Sequence, residues 1–257
     1  MSATDAELAG ELATRAGHLL LELRSSMGFD DPTALRKAGD RNSNELLIAA
    51  LAELRPNDAV LSEEAADDRS RLDADRVWII DPLDGTHEYG EEGRTDWAVH
   101  VALWERSAGG LTAGAVALPA RDITLTTAGG WPTRGAAEDP IRIAVSRTRR
   151  PEWFDGLADR VGAVATPIGS AGMKAMSVVL GEADAYLHSG RMKEWDSAAP
   201  AAVAAASGLH VSRLDGAPLE FNTAERLTLD LLICPPELAP RLLEAAAGLA
   251  GTDTTDR

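Results

Sequence analysis

The sequence predicts a protein of the α+β / α/β class, in which an α+β half is followed by an α/β half. Two patterns of helical spacing open the chain, several strand-like segments follow, and strands and helices alternate after residue 140. We expect the first half over 1–135, the second over 136–250, and a flexible polar tail over 251–257. A chain of 257 residues is long enough for two halves that share one core.

The first half is expected to begin with two helices and to continue with strands. Asp5 is a candidate N-cap for the first helix, and the turn-forming residues 55–58 should end the second. The predicted elements are helices over 5–23 and 44–54 and strands over 59–61, 76–80, 97–103, 114–118 and 122–128.

The second half follows a loop over 129–140 and alternates between the two kinds of element. The predicted strands cover 141–145, 163–168, 184–188 and 227–234. The predicted helices cover 151–161, 171–180, 197–206 and 237–249.

Charge and composition limit the partners and the compartment. The formal net charge of −16 repels nucleic-acid polymers and anionic membranes, but it leaves room for a small phosphorylated substrate whose charge bound metals neutralise. No apolar run approaches about 20 residues, and the N-terminus lacks the pattern of a secretory signal. Cys234 is the single cysteine, so a reducing cytoplasm is the expected location.

Three acidic clusters stand where an apolar strand ends or a helix begins, at 62–64, 81–86 and 194–196. Each has an ordinary structural explanation: solvated charge for Glu63 and Glu64, a β-turn after the strand for 81–86, and helix capping for Asp196. Magnesium supplies another explanation, because it prefers hard oxygen ligands and uses few carboxylates together with substrate phosphate. A tight turn through Pro82 would point two aspartates at one place, and a helix opening after Gly85 would offer N–H groups to an anion.

Taken together, these segments resemble the inositol monophosphatase superfamily of magnesium-dependent, lithium-sensitive phosphatases. The resemblance rests on Asp-Pro-Leu-Asp-Gly-Thr at 81–86, Trp-Asp-Ser-Ala at 195–198, and the glutamate pair between the second helix and the first motif, and it extends over about 5–249. It implies a layered αβαβα sandwich of the inositol monophosphatase / fructose-1,6-bisphosphatase type. It also implies a site that holds two or three Mg²⁺ ions, with most of the ligands in the first half.

Further residues resemble the 3′(2′),5′-bisphosphate nucleotidase branch of that superfamily. His-Glu-Tyr follows the first motif at 87–89, and Gly-Ser-Ala-Gly-Met-Lys at 169–174 is similar to a nucleotidase segment. His188 stands where inositol enzymes carry a glutamate, and positive charge follows it at 190–193. The substrate contacts implied are Asp84, Gly85, Thr86, Ser170, Lys174, His188, Arg191 and Asp196.

The resemblance also implies a role for each residue of the reacting centre. Glu63, Asp81 and the Leu83 carbonyl would hold one Mg²⁺, while Asp81, Asp84 and Asp196 would hold a second, and a weaker third ion would use Glu63. Asp40 would pair with Thr86 to orient the attacking water. Asp40, Thr86 and Glu63 are therefore the expected catalytic residues.

The implied reaction removes the 3′-phosphate of 3′-phosphoadenosine 5′-phosphate, which gives AMP and phosphate and belongs to sulfate assimilation. An inositol monophosphatase or fructose-1,6-bisphosphatase activity is the alternative within the superfamily. A non-catalytic acidic module that binds a metal or a partner is the alternative of another class. A zinc enzyme is disfavoured because the five histidines show no ligand spacing, and the sequence leaves a monomer or a homodimer open.

Overall fold

The computed structural model describes residues 3–135 and 139–249. Its helices are α1 (Asp5–Met27), α2 (Pro32–Leu54), α3 (Thr86–Tyr89), α4 (Phe154–Val161), α5 (Ala171–Val179), α6 (Glu194–Ala206) and α7 (Ala239–Ala246). Its strands are β1 (Ala59–Ser62), β2 (Arg76–Asp84), β3 (Ala98–Glu105), β4 (Gly110–Leu118), β5 (Ile123–Thr126), β6 (Ile141–Ser146), β7 (Ala163–Ile168), β8 (Ala185–His188), β9 (Met192–Lys193), β10 (His210–Ser212), β11 (Leu227–Thr228) and β12 (Leu231–Cys234).

Two mixed sheets organise the described chain. The first has the order β1-β2-β3-β4-β5, with β1 parallel to β2 and the other neighbours antiparallel. The second has the order β10-β12-β8-β6-β7, in which β6 runs parallel to both β7 and β8 while β12 is antiparallel to β8 and β10. A small ladder joins β9 to β11.

Side chains of β2 show how the layers are stacked. Trp78 and Ile80 point to one face of the first sheet, where they pack in a core with residues of α1 and α2. Val77 and Ile79 alternate to the other face and share a core with α5, α6 and the second sheet. The outer face of the second sheet packs against α4 and α7. The order of layers is α, β, α, β, α, which confirms the predicted fold class.

Helix α2 begins much earlier than the sequence predicted. It starts at Pro32 behind the cap Asp31, whose side chain accepts a hydrogen bond from the N–H of Ala34, rather than at residue 44. The segment between is rich in polar residues, so its helical period is weak, and a proline at the first helical position was the available signal. As a result Asp40 lies inside a helix and not in a loop or at a helix start.

Two predicted helix caps were wrong. Thr4, not Asp5, caps α1 and forms a capping box with Glu7, while Asp5 forms ion pairs with Arg55 and Arg76. Asp196 does not cap α6, because that helix begins at Glu194 and places Asp196 in its first turn.

Other differences concern element bounds, such as α1, which ends at Met27 and not at residue 23, and also short strands and the tail. The strand predicted over 227–234 is divided between β11 and β12, which belong to different sheets, and β9 and β10 were not predicted. The predicted flexible tail over 251–257 lies outside the described residues. Across residues 3–135 and 139–249, every helix is too short or too polar to span a lipid bilayer.

Candidate active site

The end of β2 supplies the first part of the site. Its pairing with β3 is irregular between Asp81 and Asp84, so the chain departs from the regular ladder where the two acids stand. Ser43 donates a hydrogen bond to the Pro82 carbonyl at 2.7 Å, and the Leu83 N–H donates to Asp81 Oδ1 at 3.0 Å. These bonds fix both the turn and the Asp81 carboxylate. The turn and the acidic site, which the sequence left as alternatives, are therefore the same structure.

Asp81, Asp84 and Asp196 form a compact cluster. Each offers a carboxylate oxygen, and these atoms all lie within 4.8 Å of one another. Burial and the charges of Glu63, Asp84 and Asp196 raise the pKa of Asp81 well above its ordinary value. Burial and the charges of Asp84 and Glu63 likewise raise the pKa of Asp196 to about 7. The cluster is a buried concentration of like charge that a cation would neutralise.

Glu63 joins the edge of this cluster from the segment that follows β1. Much of its side chain is exposed to solvent, while its carboxyl group lies beside Asp81. Desolvation of that group, together with the charges of Asp84 and Glu64, raises its pKa to about 7.

Asp84 has the most complete set of hydrogen-bond partners. The N–H of Ala171 donates to its Oδ1 at 3.2 Å, the N–H of Gly172 donates to its Oδ2 at 2.5 Å, and His100 Nε2 lies 3.2 Å from Oδ2. Burial would raise the pKa of Asp84, but His100 and the Gly172 N–H hold it below its ordinary value. Asp84 is therefore charged and anchored to the start of α5, in contrast to Asp81.

The predicted pair of Thr86 and Asp40 is brought together by α2 and α3. Thr86 Oγ1 lies 3.3 Å from Asp40 Oδ1 and 3.1 Å from the Leu83 carbonyl. Burial and the charge of Glu64 raise the pKa of Asp40 to about 6, against the opposing hydrogen bond from Thr86. The pKa of Asp40 is thus close to the range that a general base needs at neutral pH.

Gly85 allows the close packing of this turn on α5. Its φ of 83° is in the left-handed region, and a Cβ at this position would lie 2.8 Å from the Cβ of Ser170. Glycine is therefore required here for backbone conformation and for space.

The N-terminus of α5 is occupied by protein acceptors. Besides the two N–H groups that bind Asp84, the N–H of Met173 donates to Ser170 Oγ, and the N–H of Gly169 donates to Asp96 Oδ2. Ser170 is thus a helix cap, and its predicted contact with substrate stays a prediction. Asp96, which organises this turn, was not singled out from the sequence.

Lys174 lies behind the same turn. Its Nζ donates to the Gly169 carbonyl at 2.9 Å and lies 5.5 Å from the centre of the Tyr186 ring. Burial lowers its pKa, although the charges of Asp84 and Asp196 favour the protonated form. Lys174 therefore brings positive charge close to the cluster, but its ammonium group is already hydrogen-bonded.

The other predicted substrate contacts lie on the chain between the second sheet and α6. His188 ends β8 and is half-buried, and Arg191 is exposed on the connection to β9. This connection leads directly into the first turn of α6, which carries Asp196. The expected contact of His188 with the substrate and that of Arg191 with a second phosphate stay predictions.

His100 was also missed, although the sequence carried a signal. It is a fully buried polar residue within the apolar strand β3, and its Nδ1 lies 2.9 Å from the Trp195 carbonyl. Burial disfavours its charged form, but the Asp84 carboxylate raises its pKa above the ordinary value. A histidine placed among apolar strand residues requires polar partners.

The residues of the cluster fit a divalent cation with oxygen ligands. Asp81 Oδ2 is buried and has no hydrogen-bond partner among the described residues, and Asp81 is one of the three clustered aspartates. An unpaired buried carboxylate oxygen is costly unless a cation or proton is bound to it. The donor set is carboxylate and carbonyl oxygen, which suits magnesium, calcium or manganese.

A mixed layered fold with three clustered carboxylates at the end of a strand defines a class of protein whose site could hold a metal ion. Residues 3–250 match the model of the inositol monophosphatase family, and the chain belongs to that family. The chain is 53% identical over 252 residues to the 3′-phosphoadenosine 5′-phosphate phosphatase of Mycobacterium leprae (strain TN), covering 93% of this chain and 92% of that protein. It is 29% identical over 199 residues to the 3′(2′),5′-bisphosphate nucleotidase CysQ of Escherichia coli (strain K12), covering 73% and 80%.

A solved structure agrees with these relatives. CysQ from Bacteroides thetaiotaomicron superposes with a TM-score of 0.74 at 25% identity, covering 90% of this chain and 97% of that chain. These matches confirm the two expectations from the sequence, that the chain is related to the inositol monophosphatases and bisphosphate nucleotidases and that it is a phosphatase.

Proposed function

We propose that this protein is a magnesium-dependent phosphatase that removes the 3′-phosphate of 3′-phosphoadenosine 5′-phosphate, with AMP and inorganic phosphate as products. The observation that carries the reaction type is the unpaired, buried Asp81 Oδ2 in a cluster with Asp84 and Asp196. Support for the substrate comes from the mycobacterial relative that carries this activity in its name and is 53% identical over nearly the whole chain. A role in sulfate assimilation and a cytoplasmic location belong to the same proposal.

The residues that would hold the ions are those at the end of β2 and the start of α6. Glu63, Asp81 and the Leu83 carbonyl would bind one Mg²⁺, and Asp81, Asp84 and Asp196 would bind a second, with a third held more weakly through Glu63. When bound, the ions supply neutralisation of the phosphate charge and activation of the attacking water. Phosphoryl transfer depends mainly on positioning and charge stabilisation, so the site needs no nucleophilic side chain.

The protein's own groups position the water and accept its proton. Thr86 Oγ1, held between Asp40 and the Leu83 carbonyl, offers a lone pair to which a water can donate. Asp40 has a pKa of about 6 and can accept a proton near neutral pH. The water oxygen forms a bond to phosphorus as the bond between phosphorus and the 3′-oxygen breaks, Asp40 accepts the proton of the water, and the 3′-oxygen takes up a proton from solvent to leave as the hydroxyl of AMP.

A substrate panel tests the proposal. Phosphate release is measured with 3′-phosphoadenosine 5′-phosphate, inositol 1-phosphate and fructose 1,6-bisphosphate, each with Mg²⁺, with EDTA, and with Mg²⁺ plus Li⁺. We expect the nucleotide to have the highest kcat/KM, with activity lost in EDTA and reduced by Li⁺. Brisk hydrolysis of inositol 1-phosphate with none of the nucleotide would overturn the substrate assignment. Undiminished hydrolysis in EDTA would overturn the role of the metal.

A further inference from the structure

His100 stands at the point where three elements of the site meet. It lies in β3 opposite Asp81 of β2 and Val116 of β4, and it is fully buried. Its neighbours along the strand are alanine and valine, so the imidazole is surrounded by apolar residues on its own element. A polar ring in such a position is stable only if its nitrogen atoms have partners.

The two ring nitrogens of His100 contact two different parts of the cluster. Nδ1 lies 2.9 Å from the Trp195 carbonyl, and a carbonyl only accepts, so Nδ1 is the donor. Nε2 lies 3.2 Å from Asp84 Oδ2, an ion-pair contact whose alignment is poorer than that of a regular hydrogen bond. One ring therefore joins Asp84, at the end of β2, to the residue that precedes Asp196 in α6.

The contact with His100 adds a third protein group around the Asp84 carboxylate. A carboxylate offers about four lone-pair directions. The N–H groups of Ala171 and Gly172 use two, and His100 faces a third. One lone-pair direction of the Asp84 carboxylate is therefore left for a cation. The three protein groups around the carboxylate determine where that direction points.

We infer that His100 is a positioning residue, which fixes Asp84 and the first turn of α6 so that Asp84 and Asp196 are directed at the same cation. The inference rests on the proposed function, because it treats both aspartates as metal ligands. Partners that orient a metal ligand from outside the coordination sphere typically change metal affinity about 10–100-fold when they are removed. His100 is expected to act in that way, without contact with the substrate.

Two substitutions separate the contacts of the ring. In His100→Asn the amide reaches approximately the position of Nδ1, so the bond to Trp195 is kept while the contact with Asp84 is lost. In His100→Gln the amide reaches approximately the position of Nε2, so the contact with Asp84 is kept while the bond to Trp195 is lost. Val116→Ala is the matched control, because Val116 is buried beside His100 on the next strand and contacts the same core.

The direct readout is binding of Mn²⁺, followed by electron paramagnetic resonance, with calorimetric titration of Mg²⁺ as a second measurement. We expect His100→Asn to weaken metal binding at least about 10-fold, His100→Gln to weaken it less, and Val116→Ala to lower the melting temperature with metal affinity unchanged. In activity assays, His100→Asn should require more Mg²⁺ for half-maximal rate, while KM for the nucleotide at saturating Mg²⁺ changes less than about twofold.

Failure of the positioning role of His100 and failure of the proposed phosphatase activity give different results. Metal affinity in His100→Asn equal to that of the wild type, or an equal loss in Val116→Ala, would overturn the positioning role. Wild-type protein that binds Mn²⁺ and shows the expected loss in His100→Asn, but hydrolyses no phosphate ester, would support the positioning role and contradict the phosphatase. A wild type that binds no metal would overturn both.

Discussion

Thr86 Oγ1 and Asp40 Oδ1 lie 3.3 Å apart, although the two residues are 46 positions apart in the sequence. Asp40 projects from the middle of α2, and Thr86 opens α3 directly after the acidic turn of β2. The packing of α2 on this end of β2 is therefore what assembles a hydroxyl and a carboxyl group of raised pKa beside the acid cluster.

The first prediction concerns this pair. Asp40→Asn keeps an acceptor for the Thr86 hydroxyl but removes the base, so we expect kcat to fall about 10²–10⁴-fold while Mg²⁺ binding is maintained. Thr86→Ala should also reduce kcat, and Thr86→Ser should retain more activity than Thr86→Ala because it keeps the hydroxyl. Steady-state rates at saturating Mg²⁺ measure this effect, and full activity in Asp40→Asn would contradict the role of the pair.

The second prediction compares Asp81→Asn with Asp84→Asn. Both should weaken Mg²⁺ binding at least about 100-fold and abolish measurable turnover, because each removes a carboxylate that is proposed to bind the metal. Their stabilities without metal should differ. Asp81→Asn removes an unpaired buried oxygen and relieves repulsion, so it should raise the melting temperature in EDTA.

Asp84→Asn has the opposite effect on the metal-free protein. The amide can turn only one oxygen towards the N–H groups of Ala171 and Gly172, so an NH₂ group must face a donor. We expect a loss of about 1–3 kcal/mol in the free energy of unfolding, measured by urea denaturation in EDTA. Equal stability of the two variants would contradict the hydrogen bonding described for Asp84.

How much of this site was predictable differs from residue to residue. Asp81 and Asp84 were predictable because they end an apolar strand, and strand ends of this kind are readable from local sequence. The placement of His100 in an apolar strand indicated that it needs polar partners, but the identity of those partners, like the role of Asp96, depends on which strand and helix become neighbours. The pairing of Asp40 with Thr86 was reached only through the family resemblance, and the helix that carries Asp40 was placed 12 residues too late, at 44 instead of 32.

The layered fold was more predictable than the details of its second sheet. Residues 77–80 of β2 are all apolar, and a continuous apolar run is typical of a strand whose sheet is covered on both faces. The separation of β11 from β12 has no such signal. Apolar residues stand on both sides of Asp230 within 227–234, so the local sequence predicts one strand, and the partner of each part is set by tertiary packing.

The third prediction is a dependence of metal-free stability on pH. The folded-state pKa values of Asp40, Glu63 and Asp196 are about 6, 7 and 7, above the ordinary values of 3.8 for aspartate and 4.5 for glutamate. The folded state therefore binds these protons more tightly than the unfolded state. The resulting stabilisation is fully present below the ordinary values and is lost as the pH rises through about 7.

We therefore expect the melting temperature in EDTA to fall between about pH 5 and pH 8, and Mg²⁺ to raise it more at the upper end of that range. Groups with lowered pKa values, such as Asp5 and Asp184, titrate below this window and do not reverse the trend. Asp81→Asn serves as the control, because removing one charge from the cluster should flatten the profile. A melting temperature in EDTA that rises with pH over this range would contradict the raised pKa values.

The fourth prediction concerns Gly172, where α5 meets His100 and Asp84. A Cβ at this position would lie 2.1 Å from His100 Nε2 and 3.0 Å from Asp84 Oδ2, so in Gly172→Ala the imidazole ring must move. Overpacking of a buried site costs about 1–3 kcal/mol, and here the displaced ring also contacts Asp84, one of the proposed metal ligands. We expect Gly172→Ala to lower both the free energy of unfolding and the affinity for Mg²⁺.

Gly156→Ala is the matched control for that substitution. Gly156 is an exposed residue within α4, and a Cβ there would meet no atom within 4 Å. Alanine at such a position should raise the free energy of unfolding by about 0.4–1 kcal/mol through the unfolded chain, with Mg²⁺ affinity unchanged. Urea denaturation measures the free energy of unfolding of both variants, and calorimetric titration measures their affinity for Mg²⁺. We expect the changes in the free energy of unfolding to have opposite signs, because only Gly172 lies against His100. If Gly172→Ala instead matches Gly156→Ala in stability and metal affinity, α5 does not press on the His100 ring.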